Sequence, residues 1–191
     1  SGVRPRRTIR FVLFTAEEQG VFGSRAYVSS HRAEMENTAA VIVLDMGAGK
    51  VMGFAVNGRK EIIPVLTPMI APLTKLEAGL LAPDAMLDTD NFDFLLEGVP
   101  NFVAIQDLAP YLPNYHASSD TFDKVDMAVL KKNTVIATGF TVALADAASR
   151  LGPRQSRAEV ESLLKENKLD EQMKFLGIWE DWVTGKRGRQ K

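Results

Sequence analysis

The sequence has no cysteine and only two histidines among its 191 residues. Disulfide staples, thiolate metal sites and a cysteine nucleophile are therefore excluded, and any metal must be held by Asp, Glu or one of the two imidazoles. An excess of one charge is missing too: 23 Lys and Arg stand against 24 Asp and Glu, a net charge of -1. That removes the electrostatic footprint of a nucleic-acid or anionic-membrane binder, and neither partner is expected. No apolar run approaches the roughly 20 residues of a membrane span. Residues 1–7 lack the apolar stretch of a secretory leader, although the opening Ser1-Gly2 reads as a cut rather than a natural start. What is present, 46% hydrophobic and 25% charged residues, is the composition of a globular domain with a real core.

The core is announced by short apolar runs. Residues 9–14 form one, rich in branched and aromatic side chains, which predicts a strand buried on both faces. It ends in the adjacent carboxylates Glu17 and Glu18. A helix is expected over 21–31, a second buried strand over 39–44 closed by Asp45 and the turn formers Gly47-Ala48-Gly49, and a further strand over 51–56 ending at Asn57-Gly58. Residues 60–81 have helical periodicity interrupted by Pro64, Pro68 and Pro72. Asp88-Thr89-Asp90 reads as the cap of a short helix, residues 101–105 as a third buried strand, and Asp126 as the cap of a long helix reaching about residue 149. After Gly152-Pro153 the chain reads as amphipathic helices over 157–166 and 169–182, then a frayed basic end over 186–191. Alternating strands and helices predict an α/β domain with a largely parallel sheet, whose ligand crevice lies beyond the carboxyl ends of its strands.

Glu17, Glu18, Asp45 and His116 all fall at that crevice. Carboxylates with one imidazole suit a hard or borderline cation, and adjacent acids need not share a task because successive side chains diverge. One can bind metal while its neighbour takes a proton from water. Simpler readings compete. The paired glutamates suit the positive end of a following helix, Asp45 suits a turn, and His116 suits an ordinary loop. His31, near a polar helix end, is expected to be solvated.

Four ordered segments, FVLFTAEEQGVFGSRAYV (11–28), LDMGAG (44–49), TDNFDFLLEGVP (89–100) and YHASSDTFDKVD (115–126), resemble zinc exopeptidases of the aminopeptidase and plasma glutamate carboxypeptidase type. The likeness is strongest to the carboxypeptidase Q branch and spans about residues 6–149. It implies a three-layer α-β-α sandwich with a mixed, largely parallel sheet. By position, Glu17 matches the general base, Glu18 and His116 ligands of one zinc, Asp45 a ligand of the second, and Asp90 a residue lining the substrate pocket. Asp120 and Asp126 read as loop and cap residues. The resemblance also implies a peptide or dipeptide substrate and a secreted or periplasmic parent.

The family's upstream histidine and bridging aspartate have no counterpart before Glu17. The chain is therefore expected to be the C-terminal portion of a longer exopeptidase, residues 1–150 belonging to the catalytic domain and 151–191 forming a helical extension. Zinc would bind partially or not at all, and activity is not expected from the isolated chain. The uncovered sheet edge would favour a homo-oligomer. Two other readings remain open: an exopeptidase-like interaction domain, and a glutaminyl cyclase-like zinc acyltransferase.

Overall fold

The computed structural model describes residues 4–190, so residues 1–3, with the opening Ser1-Gly2, and Lys191 lie outside the described residues. Its frame is a four-stranded sheet of β1 (Val41–Val43), β2 (Val51–Ala55), β3 (Leu80–Ala82) and β4 (Asn101–Gln106), in the spatial order β1-β4-β2-β3. The β1·β4 and β2·β3 pairs are parallel and β2·β4 is antiparallel, giving the expected mixed sheet. The helices are α1 (Phe22–Ser30), α2 (Ile63–Ile70), α3 (Phe92–Leu96), α4 (Met127–Asp146), α5 (Arg157–Glu166), α6 (Leu169–Phe175) and α7 (Trp179–Val183).

Alternation along the strands assigns the two faces. Ile42 and Phe102 are paired in register and face the cluster built by Leu66 and Ile70 of α2 with Ile136 and Phe140 of α4. There the Phe140 ring stacks on Phe54 at 4.1 Å and meets Phe102 edge-on at 5.2 Å. Val41 points the other way, towards Val28 of α1, Phe94 of α3 and Val99. Helices thus cover both faces, and the chain is a three-layer α/β fold. A third cluster joins Phe92, Leu95 and Leu96 to Val160, Leu163, Leu164, Leu169, Met173 and Trp182, so the last three helices pack on α3.

Several expectations are corrected. Residues 9–14 form no strand: they carry no regular structure and no backbone pairing, with Phe11 91% and Leu13 96% exposed. A run of strand-forming residues becomes a strand only when a partner satisfies its backbone, and β1 hydrogen-bonds to β4 instead. Side chains hold the segment in its middle, where Arg10 Nη1 reaches the Tyr27 hydroxyl at 2.5 Å and Glu34 at 3.0 Å, and at its ends. Arg7 donates to the carbonyls of Leu144 and Ala147 at 3.1 and 2.7 Å, while Phe14 packs on Tyr27 and Phe94. The proline-bearing region is α2 followed by a 3-10 turn over Ala71–Leu76, and it hides β3, a strand the periodicity did not indicate.

Asp88-Thr89-Asp90 does not cap α3. Asn91 stands at that position, with no side-chain cap bond. Asp126 does cap α4, accepting from the amides of Ala128 and Val129 at 2.7 and 3.2 Å, and α4 stops at Asp146. Residues 169–182 form two helices rather than one, because Gly177 adopts φ 71° and ends the first.

The basic end is not frayed. Arg187 is buried and donates to both Asp93 oxygens, Nε to Oδ1 at 2.8 Å and Nη2 to Oδ2 at 2.7 Å. Arg157 lies 3.9 Å over the Trp182 ring, and Arg189 donates to the Gln155 carbonyl at 2.6 Å.

Candidate active site

The turn carrying Glu17 and Glu18 is built by its backbone. The Glu17 carbonyl accepts from Gly20 and Val21 at 2.9 and 2.8 Å, and the Ala16 and Thr15 carbonyls accept from Phe22 and Gly23 at 3.1 and 3.0 Å. Folding the chain back so tightly places Ala16 and Val21 at φ 57° and 53°. A left-handed β-branched residue such as Val21 is an outlier that surrounding structure must enforce. Gly23 makes the turn possible, because a Cβ there would stand 2.4 Å from the Thr15 carbonyl oxygen. No acid lies in the first turn of α1. The glutamates therefore stand in the turn before the helix and not in its first turn.

His116, from the loop after β4, brings its Nε2 to 2.8 Å from Glu18 Oε2. Its own φ is 54°, and its ring stacks on Tyr115 at 3.8 Å. Asp45 follows β1 in a loop tied down from two sides. Gln106 Nε2 donates to the carbonyls of Gly47 and Gly49 at 2.6 and 2.9 Å, and Asn133 Nδ2 donates to Gly49 at 2.8 Å. Tyr111 covers this loop, and a Cβ on Gly47 would stand 2.3 Å from its ring. Tyr111 and Tyr115 in turn lie 5.0 Å apart. Asp90 is buried, its Oδ1 without a hydrogen-bond partner.

These groups sense one another. Burial pushes the Glu17 carboxyl up to about 7, with Asp45, Glu18, Asp90 and Asp88 adding to the effect in that order. Burial also raises Asp90, against a lowering contact from Ser24 of α1, and Asp45 and Asp93 raise it further. The Tyr111 phenol is raised by burial, then by Tyr115, Asp45, Glu18 and Asp120. The structure thus gathers Glu17, Glu18, Asp45 and Asp90 into one neighbourhood of mutually repelling acids, with His116 against Glu18.

The sequence reading missed the parts that hold this neighbourhood in place. Asn57, Asn91 and Asn101 are buried together. Asn91 Nδ2 donates at 3.1 Å to both Asn57 Oδ1 and Asn101 Oδ1, locking the chain directly after Asp90 to the sheet. Ser24, Gln106, Asn133 and the tyrosine pair were also overlooked. Their only sequence signal was polarity inside otherwise apolar stretches, which does not by itself distinguish a buried network from a solvated face.

The donor chemistry of Glu18, His116 and Asp45 agrees with a borderline cation, but their number does not complete a site. Among the described residues no three His, Asp or Glu side chains converge in a metal-holding group, whereas catalytic zinc takes three protein ligands. These residues supply part of a donor set, and no reaction step can be built on a metal held by them alone.

The profile of Peptidase family M28 matches residues 1–141. This chain belongs to peptidase family M28. Carboxypeptidase Q of Bos taurus is 32% identical over 127 residues, covering 65% of this chain and 26% of that protein. Carboxypeptidase Q of Xenopus laevis is 28% identical over 145 residues, covering 76% and 31%. A peptidase M28 precursor from Shewanella amazonensis superposes with a TM-score of 0.73 at 26% identity, over 82% of this chain and 35% of its own. The M28 chain thus spans between 26% and 31% of the length of these two curated relatives. The profile stops within α4, so α5 to α7 lie outside the matched region.

Proposed function

We propose that this chain carries part of the catalytic centre of a zinc-dependent exopeptidase and is inactive by itself. The observation that carries the reading is the meeting of Glu18 and His116 at 2.8 Å, 98 positions apart in sequence, beside the Glu17 carboxyl. Glu18 and His116 would face one zinc ion and Asp45 a second, with the remaining ligands coming from residues outside this sequence. Zinc supplies Lewis acidity at the scissile carbonyl and lowers the pKa of water.

The chain's own contribution is proton handling and positioning. Glu17 accepts the proton of the attacking water and returns it to the leaving nitrogen, a role suited to a carboxyl held near neutrality. Asp90, with an unpaired buried oxygen, faces the substrate pocket and offers an acceptor to a polar group of the peptide. Tyr115 fixes the His116 ring by stacking. The exposed apolar run 9–14 supports self-association, which a stable monomer in sedimentation would refute.

The deciding experiment compares the full-length parent with its Glu17→Gln variant on a peptide panel and adds this chain alone with zinc. Turnover in the variant should fall by about 10²–10⁴-fold with metal content unchanged, as for loss of a general base. The isolated chain should show none. Unchanged turnover in the variant removes Glu17 from the mechanism, and turnover by the isolated chain shows its site to be sufficient.

A further inference from the structure

A cleft of about 470 Å³ opens between the loop at Leu87 and Asp88 and the outer face of α6, lined by Leu87, Asp88, Glu171, Gln172, Phe175 and Leu176. Its volume is that of a small-ligand site. Its apolar wall is unusually bare: Phe175 is 90% and Leu176 54% exposed. These side chains do not swing freely into the core, because α6 is anchored beneath them by Leu169 and Met173 and is closed by amide bonds from Leu176 to Gln172 and from Ile178 to Met173, each 2.9 Å.

The rim has a definite charge. Among the described residues neither Asp88 nor Glu171 has a side-chain hydrogen bond or ion pair. The neighbouring cation, Lys174, is taken by Asp170 at 2.6 Å and lies over the Trp179 ring. The cleft shares one residue's influence with the candidate active site: Asp88 on its rim is two residues from the buried Asp90, and its charge reaches Glu17. An apolar wall edged by unneutralised carboxylates is complementary to an apolar group that carries a positive charge.

We propose that this cleft, formed where α6, outside the M28 match, meets the loop at Leu87 and Asp88 inside it, is a peptide subsite that takes a large apolar side chain with a cationic group beside it. The inference rests on the peptidase reading for its occupant, and it assigns α6 a role in choosing substrates. Phe175 and Leu176 cover the apolar side chain, while Asp88 and Glu171 face the cation.

Residue-resolved amide spectra of the chain, titrated with leucinamide, glycinamide and N-acetylleucine, test it. Leucinamide should shift the amides of Asp88, Gln172 and Phe175, with the other two binding at least about tenfold more weakly because each lacks one half of the recognised pair. The double variant Phe175→Ser with Leu176→Ser should lose about tenfold for leucinamide. It should leave Trp182 fluorescence unchanged, since neither side chain is in the core. Equal binding of all three probes, or undiminished binding by the variant, overturns the proposal. So do shifts that follow protein concentration without ligand, which would give the cleft to a second copy of the chain. A cleft that ignores leucinamide while the parent hydrolyses peptides overturns the subsite alone, and leucinamide binding without peptide turnover in the parent overturns the catalytic reading alone.

Discussion

Residues 9–14 and residues 186–190 sit at opposite ends of the chain and have exchanged their expected places. The first is apolar and leaves Phe11 and Leu13 in solvent. The second is basic, yet buries Arg187 at 4% exposure against Asp93 and lays its guanidinium over the Phe92 ring. The difference lies in partners rather than polarity. Arg187 finds a carboxylate in bidentate geometry, which can offset the desolvation of both charges, while residues 9–14 find no strand to complete their backbone bonds.

The comparison can be broken most forcefully at the basic end. Arg187→Ala should cost about 3–5 kcal/mol in urea unfolding, because Asp93 is left buried and uncompensated. Replacing both partners, Arg187→Met with Asp93→Leu, should recover most of that loss; if it does not, the pair contributes more than its charges. Trp182→Ala should cost about 3–5 kcal/mol through the cavity it leaves in the α3–α5–α6 cluster.

At the apolar end the effects shrink. Arg7→Ala should cost about 1 kcal/mol, the net worth of the bonds it makes to the end of α4. Phe11→Ser with Leu13→Ser should change stability by no more than about 0.5 kcal/mol and should raise the concentration at which the protein stays unaggregated in light scattering. A loss of several kcal/mol there would mean that the segment is covered in solution, by a second copy or by residues outside this sequence.

Much of the frame was legible because it depends on local chemistry. The run at 101–105 is a buried strand as its apolarity implies, the run at 39–44 yields the shorter, half-buried β1 with Leu44 exposed, and Asp126 stands where a helix needs an acceptor. The candidate site residues were named through the order of four short motifs, and the structure brings His116 to Glu18. What was not legible depends on neighbours. β3 is three residues long and gains its identity only by pairing with β2. The asparagine trio became visible only when residues 57, 91 and 101 met. Capping at 88–90 failed as an expectation because Asn91 holds the position before the helix and Asp90 hydrogen-bonds to Ser24 of α1 instead.

By itself the sequence determined the α/β class and the family and named the acids and histidine to look for, since these rest on residue types and their order along the chain. Only the tertiary structure decided that Glu18 and His116 meet, that burial and four other carboxylates lift Glu17 towards neutrality, and that the basic end is inside while an apolar run is outside. The reason is the same in each case: a charge or a strand has no energy of its own until distant parts of the chain supply, or withhold, the group that pairs with it.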